Sequence, residues 1–302
     1  MGLATRPVLR QWIRERTGEG TYIKKSVPAD YKGRVVRALM AGNGKMDHPT
    51  DLFALSIISG FSQRSTIEST IDIDVVLAPG ALWVDRVAAF VRAHELRVAI
   101  AAQDVSVVGL AGGAFTGEIS AEQYYTAGAR FAILGHSERR SGAVFQGQLP
   151  GETPQMVAQK VEAALRGRLI PIVCVGETLE ERQGGNLEAV IGTQLMPVLT
   201  VNPSLFKSKK GVIAYEPVWA IGTGVTAKPE DAEAACFYIR ELLHQHVSPE
   251  AALNTRILYG GSVKPDNVDA LMSMPNIDGG LVGGAFLQPI SALQLISFGL
   301  SA

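Results

Sequence analysis

Residues Ala214 to Ala227 read AYEPVWAIGTGVTA, and this stretch decides how the rest of the chain is read. A short apolar run, Gly211 to Tyr215, ends on a carboxylate, Glu216. The stiff step Pro217-Val218-Trp219 follows, then a glycine-rich tip, Ile221-Gly222-Thr223-Gly224. A Glu at a strand end is placed for proton transfer, and the proline beside it restricts the backbone. Bare glycine N–H groups can approach an anion, and the same glycines let the tip move. The stretch predicts a catalytic base joined to a mobile lid.

Working outward, short apolar runs alternate with amphipathic ones. Strands are predicted at Val35–Ala41, Val75–Ala78, Val98–Ala102, Phe131–Leu134, Ile170–Cys174, Val212–Tyr215, Ile257–Tyr259 and Gly280–Val282. Helices are predicted between them, at Thr50–Gln63, Trp83–His94, Ala121–Ala127, Pro154–Arg166, Asn186–Leu199, Pro229–Gln245, Pro265–Met272 and Ile290–Phe298. Several open on Pro or after a turn residue, as helix starts do. From residue 35 to 302, eight units fit at about 33 residues each, the size of one strand–helix repeat. Eight such alternations predict an α/β fold, a single eight-stranded parallel (β/α)8 barrel over residues 35–302. Residues 1–34 form an amino-terminal extension, either an arm against the barrel or a targeting segment. Their mixture of Arg6, Arg10, Arg14 and Arg16 with Glu15, Glu19 and Asp30 favours the arm, since transit peptides are poor in acids.

The 302 residues are 47% hydrophobic and 19% charged, enough for a large core. A net charge of −1 provides no global field to recruit nucleic acid or an anionic membrane, so neither is expected as a partner. No apolar run reaches the length of about 18 residues that a membrane span needs. Two cysteines, Cys174 and Cys236, make neither a disulfide framework nor a metal cluster, and they suit a reducing, cytoplasmic setting.

In a barrel of this kind, functional residues follow the strands at the carboxyl-terminal face. The conspicuous polar residues obey that rule. Asn43 and Lys45 follow the first strand, His136 and Glu138 the fourth, Glu177 the fifth and Glu216 the sixth. Gly260-Gly261-Ser262 follows the seventh and Gly283-Gly284 the eighth. Taken singly, each has a plainer reading. Lys45 or His136 alone fits a solvated strand end, and a glycine pair fits an ordinary turn. Cys174 reads as a small buried hydrophobe. Arg139 and Arg140 read as ion-pairing residues, and His48, His94, His244 and His246 fall off the catalytic face.

The conjunction is more specific than its parts. AGNGKM (41–46), GAFTGEIS (113–120), ILGHSERR (133–140), CVGET (174–178), AYEPVWAIGTG (214–224), YGGSVKPDN (259–267) and LVGGA (281–285) occur in this order. With these motifs the chain resembles the triosephosphate isomerases over nearly all of residues 38–302. The resemblance implies an aldose–ketose isomerase of glycolysis and gluconeogenesis that acts on a small phosphorylated sugar, as a homodimer, with no cofactor and no metal. It also implies roles. Glu216 is the base, His136 a neutral electrophile, Lys45 a fixed positive charge, Asn43 a hydrogen-bond donor, and Glu138 an anchor near Lys45. The pairing of a neutral His with a Glu base under a closing loop is the family's own and comes with the resemblance. Gly222, Ser262, Gly283 and Gly284 would offer N–H groups to the phosphate. Ile221 and Leu281 would clamp over Glu216, Tyr259 with Ser262 would latch the closed lid, and Trp219 with Glu177 would hold the open one.

Four positions depart from the family pattern. Gly44 stands where Trp is usual, Asp104 where Asn is usual, Val225 where Lys is frequent, and Phe286 where Ser is common. A missing side chain at Gly44 is expected to leave space and loosen the backbone. Together, Gly44 and Phe286 admit a second reading, an isomerase of a related phosphorylated ketose such as a tetrulose phosphate. A third is a non-catalytic binding protein on the same scaffold, against which intact Asn43, Lys45, His136 and Glu216 argue.

Overall fold

The computed structural model describes residues 38–44, 73–109, 113–142, 150–208, 211–221 and 227–298. Eight parallel strands close into a barrel in chain order. They are β1 (Ala38–Asn43), β2 (Ile73–Ala78), β3 (Val98–Ala102), β4 (Phe131–Leu134), β5 (Ile170–Val175), β6 (Val212–Tyr215), β7 (Arg256–Tyr259) and β8 (Gly279–Val282). Closure is direct: β1 pairs with β8, with Leu39 opposite Gly279 and Gly42 opposite Val282. The predicted (β/α)8 barrel is the fold. The amino-terminal extension and the predicted helix Thr50–Gln63 lie outside the described residues.

Strands buried on both faces read as continuous apolar runs, which is why their centres were legible. The ends were less so. Gly42 and Asn43 read as turn residues, yet they pair with Leu77 and Ala78 and extend β1 by two residues. Gly42 is required there. A Cβ on it would lie 2.1 Å from the Phe286 ring, which packs against this strand from the layer between sheet and helices. Phe286 thus faces away from the barrel interior. Gly44 also corrects its expectation. Its N–H donates to the Ala78 carbonyl at 2.9 Å, so the backbone is tied rather than loose. A Cβ at Gly44 would stand 3.1 Å from the same oxygen, so the space is not empty at its root.

The main helices are α1 (Val84–Ala93), α2 (Ala121–Thr126), α4 (Pro154–Arg166), α6 (Leu187–Val201), α8 (Pro229–His246), α10 (Val268–Ser273) and α11 (Pro289–Ile296). Between them lie α3 (Ser137–Arg140), α5 (Leu179–Gln183), α7 (Pro203–Lys207) and α9 (Pro249–Asn254), none of which periodicity predicted. These run four to six residues, too short to show a 3.6-residue pattern. The predicted helix from Pro265 begins instead at Val268, because the Asn267 side chain closes a turn ahead of it. No described helix is long and apolar enough to cross a membrane.

Alternation divides the core in two. One buried cluster fills the barrel: Leu39, Ala41, Val76, Ala78, Ala101, Phe131, Ile133, Ile172, Cys174, Val212, Ala214, Leu258 and Leu281. The other lies between sheet and helices. Directly below Asn43 and Glu216 the inward residues are alanines, Ala41 and Ala214. Small side chains at that level leave the carboxyl-terminal mouth of the barrel open. Its opposite end is held by Arg240 and Asp278, both fully buried and 2.9 Å apart. Asp278 also accepts from the Ile257 N–H, so this buried charge pair is hydrogen-bonded as well as neutralised.

Candidate active site

The parity that turns Val212 and Ala214 inward also turns Glu216 inward, one residue beyond the end of β6. Its N–H donates to Val175 at 2.7 Å, and Pro217 holds φ at −65°. Glycines hem it in. A Cβ on Gly176 would lie 1.8 Å from the Glu216 carbonyl oxygen, and one on Gly260 would lie 2.9 Å from its Cγ. The backbone of the base therefore has little room to shift.

The Glu216 carboxylate is 4% exposed as a residue and fully engaged. One oxygen accepts from the Ser137 N–H at 2.9 Å, and the other faces His136 Nδ1 at 3.1 Å. The far nitrogen of that ring, Nε2, lies 3.4 Å from Asn43 Nδ2. A single proton on Nδ1 satisfies both contacts: Nδ1–H donates to Glu216, and Nε2 accepts from the Asn43 amide. Burial opposes charge on both groups, but their mutual attraction outweighs it. His136 is held above its ordinary pKa chiefly by the Glu216 carboxylate. Glu216 is held below its own by His136, Arg140 and the Ser137 N–H.

Cys174, packed in the barrel core as its reading predicted, also borders this group. Its Sγ lies 4.0 Å from His136 Nδ1. Burial pushes its thiol well above the ordinary value, so it stays neutral. Alternation along β5, with Ile172 inward, is the signal that places it there. His136, Cys174 and Glu216 are the described residues that bring three potential metal-ligand atoms within 4.8 Å of one another.

A cavity of about 290 Å³ opens over the base. Its lining brings together Asn43, Glu138, Glu216, Ile221, Ser262, Leu281, Gly283 and Gly284, all predicted from sequence. Val263, Lys264 and the backbone of Gly260 and Gly261 also line that wall. Ser137 Oγ donates to Glu138 at 3.3 Å. Lys45 and the lid residues Gly222 to Thr226, including Val225, lie outside the described residues.

Trp219 meets Glu177 as expected, its Nε1 donating at 3.0 Å. Sequence reasoning missed two more donors to the same oxygen, Tyr215 OH at 2.9 Å and Arg182 Nη1 at 3.2 Å. Arg182 also lies over the Trp219 ring, 4.7 Å from its centre. Burial raises the phenols of Tyr215 and Tyr259 far above their usual range, so both remain protonated. Tyr259 OH is buried and close to Gly261, where a Cβ would stand 2.2 Å from it. It touches the site through that glycine and makes no hydrogen bond with Ser262.

Arg139 is ion-paired as predicted, to Glu152 and, at 3.0 Å, to Asp104. Arg140 is not. It donates to the Gly135 and Gly176 carbonyls at 2.8 and 3.2 Å, bracing the ends of β4 and β5. Asp104, the departure at the third loop, binds Lys160 through both oxygens at 2.7 and 2.6 Å. The substitution is absorbed by a charge network at the loop's root.

The family model described as "Triosephosphate isomerase" matches residues 38–299. A triosephosphate isomerase of Rhodopirellula baltica is 46% identical over 255 residues, covering 83% of this chain and 93% of the relative. One of Alkalilimnicola ehrlichii is 41% identical over 261 residues, covering 86% and 98%. One of Herminiimonas arsenicoxydans is 49% identical over 201 residues, covering 66% and 76%. The motifs, the closed barrel and the buried His–Glu pair at its carboxyl-terminal mouth agree with these matches: the chain belongs to the triosephosphate isomerase family.

Proposed function

We propose that this isomerase interconverts D-glyceraldehyde 3-phosphate and dihydroxyacetone phosphate, with Glu216 carrying a proton between adjacent carbons through an enediolate. The observation behind this is the buried Glu216–His136–Asn43 chain at one end of a cavity whose other end is Ser262, Gly283 and Gly284. Glu216 turns from Ser137 and His136 to the carbon beside the substrate carbonyl and takes its proton. The ring Nδ1–H it releases becomes a neutral donor to the substrate oxygen, while the Asn43 amide on Nε2 holds the ring in that tautomer. Lys45 adds fixed positive charge, which a weak carbon acid needs as its oxygen gains charge. A proton passes from the neighbouring hydroxyl to the oxyanion by way of the His136 ring, and Glu216 returns its own proton to the neighbouring carbon. Backbone N–H groups at Gly222, Ser262, Gly283 and Gly284 hold the phosphate, and Ile221 and Leu281 exclude water over the base. Trp219 on Glu177 marks the open lid, and Tyr259 with Ser262 latches the closed one.

The tetrulose phosphate reading rested on room near Gly44 and Phe286. Phe286 packs on the outer side of β1, and neither residue lines the described cavity. A coupled assay on the purified protein tests the choice. Turnover of the triose phosphate well above that of a tetrulose phosphate is expected, and the reverse order overturns it.

The active form is a two-fold dimer of a cytoplasmic enzyme. Val107, Phe115 and Ile119 on the third loop are exposed, as is Leu82, which is 90% accessible. Leu110, the next large apolar residue of that loop, lies outside the described residues. Several exposed apolar side chains on one loop ask for a partner surface. Light scattering should give twice the chain mass. Val107→Asp with Val108→Asp should halve that mass and lower activity, since buried unpaired charge is costly. A fully active monomeric parent refutes the dimer.

A further inference from the structure

A dianionic substrate has to be captured by a protein of net charge −1. The described wall of the cavity adds two carboxylates, Glu138 and Glu216. Lys264 is the basic residue among its described lining residues, and it stands at the Ser262 end. It is exposed, and no described carboxylate forms an ion pair with it. It lies inside the motif YGGSVKPDN, where only the serine and the tyrosine were given roles, because a lysine in an exposed turn reads as a solvated surface group.

Its place is fixed. Asn267 Oδ1 accepts from the Lys264 backbone N–H at 2.8 Å, and Asn267 Nδ2 donates to the Ser262 carbonyl at 2.9 Å. The N–H groups of Asn267 and Val268 both return to the Lys264 carbonyl, at 3.1 and 3.0 Å. Val263, between Ser262 and Lys264, is buried in the core. One side chain thus locks the serine and the lysine into a single turn.

We infer that Lys264 is a specificity-determining residue, whose ammonium draws in and holds the phosphate dianion at the rim of the cavity, and that Asn267 is its positioning residue. The inference rests on the phosphorylated-substrate reading above. The charge acts on the phosphate and not on the carbon chemistry. Its effect therefore falls on capture, is sensitive to salt, and vanishes for a substrate without phosphate.

The test compares parent, Lys264→Ala, Lys264→Arg, Lys264→Glu and Asn267→Ala on D-glyceraldehyde 3-phosphate and on D-glyceraldehyde. Inorganic phosphate serves as inhibitor and as calorimetric ligand. One cation near a dianion at a wet surface is worth about a fivefold change, so Lys264→Ala should lower kcat/KM for the phosphorylated substrate about fivefold. Reversal to Glu should lower it roughly twentyfold. The preference for the phosphorylated over the plain substrate should shrink by the same factors, and phosphate inhibition should weaken in parallel. Arg should retain most of the parent's behaviour. Asn267→Ala should shift in the same direction by less. At about 0.5 M salt the gap between parent and Lys264→Ala should close. The inference is overturned if Lys264→Ala leaves phosphate affinity and salt dependence as in the parent. It is equally overturned if both substrates suffer alike, which marks a structural disturbance. If the parent binds phosphate through Lys264 but does not isomerise triose phosphate, the inference stands and the activity reading falls.

Discussion

Replacing Glu216 by Asp is expected to slow turnover by about 10²-fold, since a displacement of about 1 Å at the reacting atom has that effect. The glutamate now spans the distance from the end of β6 to the Ser137 N–H and the His136 ring. Its backbone cannot advance to compensate for a lost methylene, because Gly176 and Gly260 press against it with no spare space. The carboxylate therefore retreats while the phosphate end of the cavity, built from other strands, stays in place. The effect corresponds to about 2.7 kcal/mol of transition-state stabilisation and should appear in kcat more than in KM. Steady-state kinetics with inorganic phosphate as a competitive probe separate the two. Near-normal kcat in Glu216→Asp removes Glu216 from the role of base.

Gly176→Ala should match that loss without touching an ionisable group. Its Cβ would meet the Glu216 carbonyl oxygen at 1.8 Å and the carbonyl carbon at 2.6 Å. These are backbone atoms, so no rotamer change relieves the clash. The ladder from Cys174 opposite Ala214 to Val175 opposite Tyr215, and the Glu216 N–H on Val175, hold the two strand ends together. The methyl group must force them apart, at a cost of about 1–3 kcal/mol in stability. The base moves with them, and about 10²-fold in kcat goes with a shift of about 1 Å. Gly192→Ala is the control, since its Cβ would meet the Tyr238 hydroxyl at an ordinary 3.5 Å. Thermal unfolding and kinetics on both variants decide the matter. A Gly176→Ala protein with parental melting temperature and kcat refutes the tight contact.

The sequence carried most of the barrel because parallel strands covered on both faces are apolar along their whole length. β3, β4 and β6 lie at their predicted bounds. What failed to show in the sequence was set by tertiary contact. Gly42 and Asn43 continue β1 because β2 is there to pair with them. Ser137–Arg140 and Leu179–Gln183 are single turns whose helical state comes from their place after a strand. The candidate site was legible through motif residues at strand ends. The contacts of Cys174, Tyr215 and Arg182 were not, because the first two read as apolar strand residues within their motifs and Arg182 as a surface helix charge. Only the closed sheet shows that Cys174 sits beside His136, and that Tyr215 and Arg182 converge on Glu177.

The contact between Gly42 and Phe286 sets a rule for how this chain can drift. The ring occupies the space a side chain at position 42 would need, 2.1 Å from where its Cβ would begin. Position 42 therefore tolerates nothing larger while the ring is present, whatever the residue's own propensity. A smaller residue at 286 would lift that ban, and in that background an alanine at 42 would help refill the vacated volume. The two sites are 244 residues apart in the chain, yet a substitution at one changes the sign of a substitution at the other. The easier route across this pair first shrinks residue 286 and then enlarges residue 42.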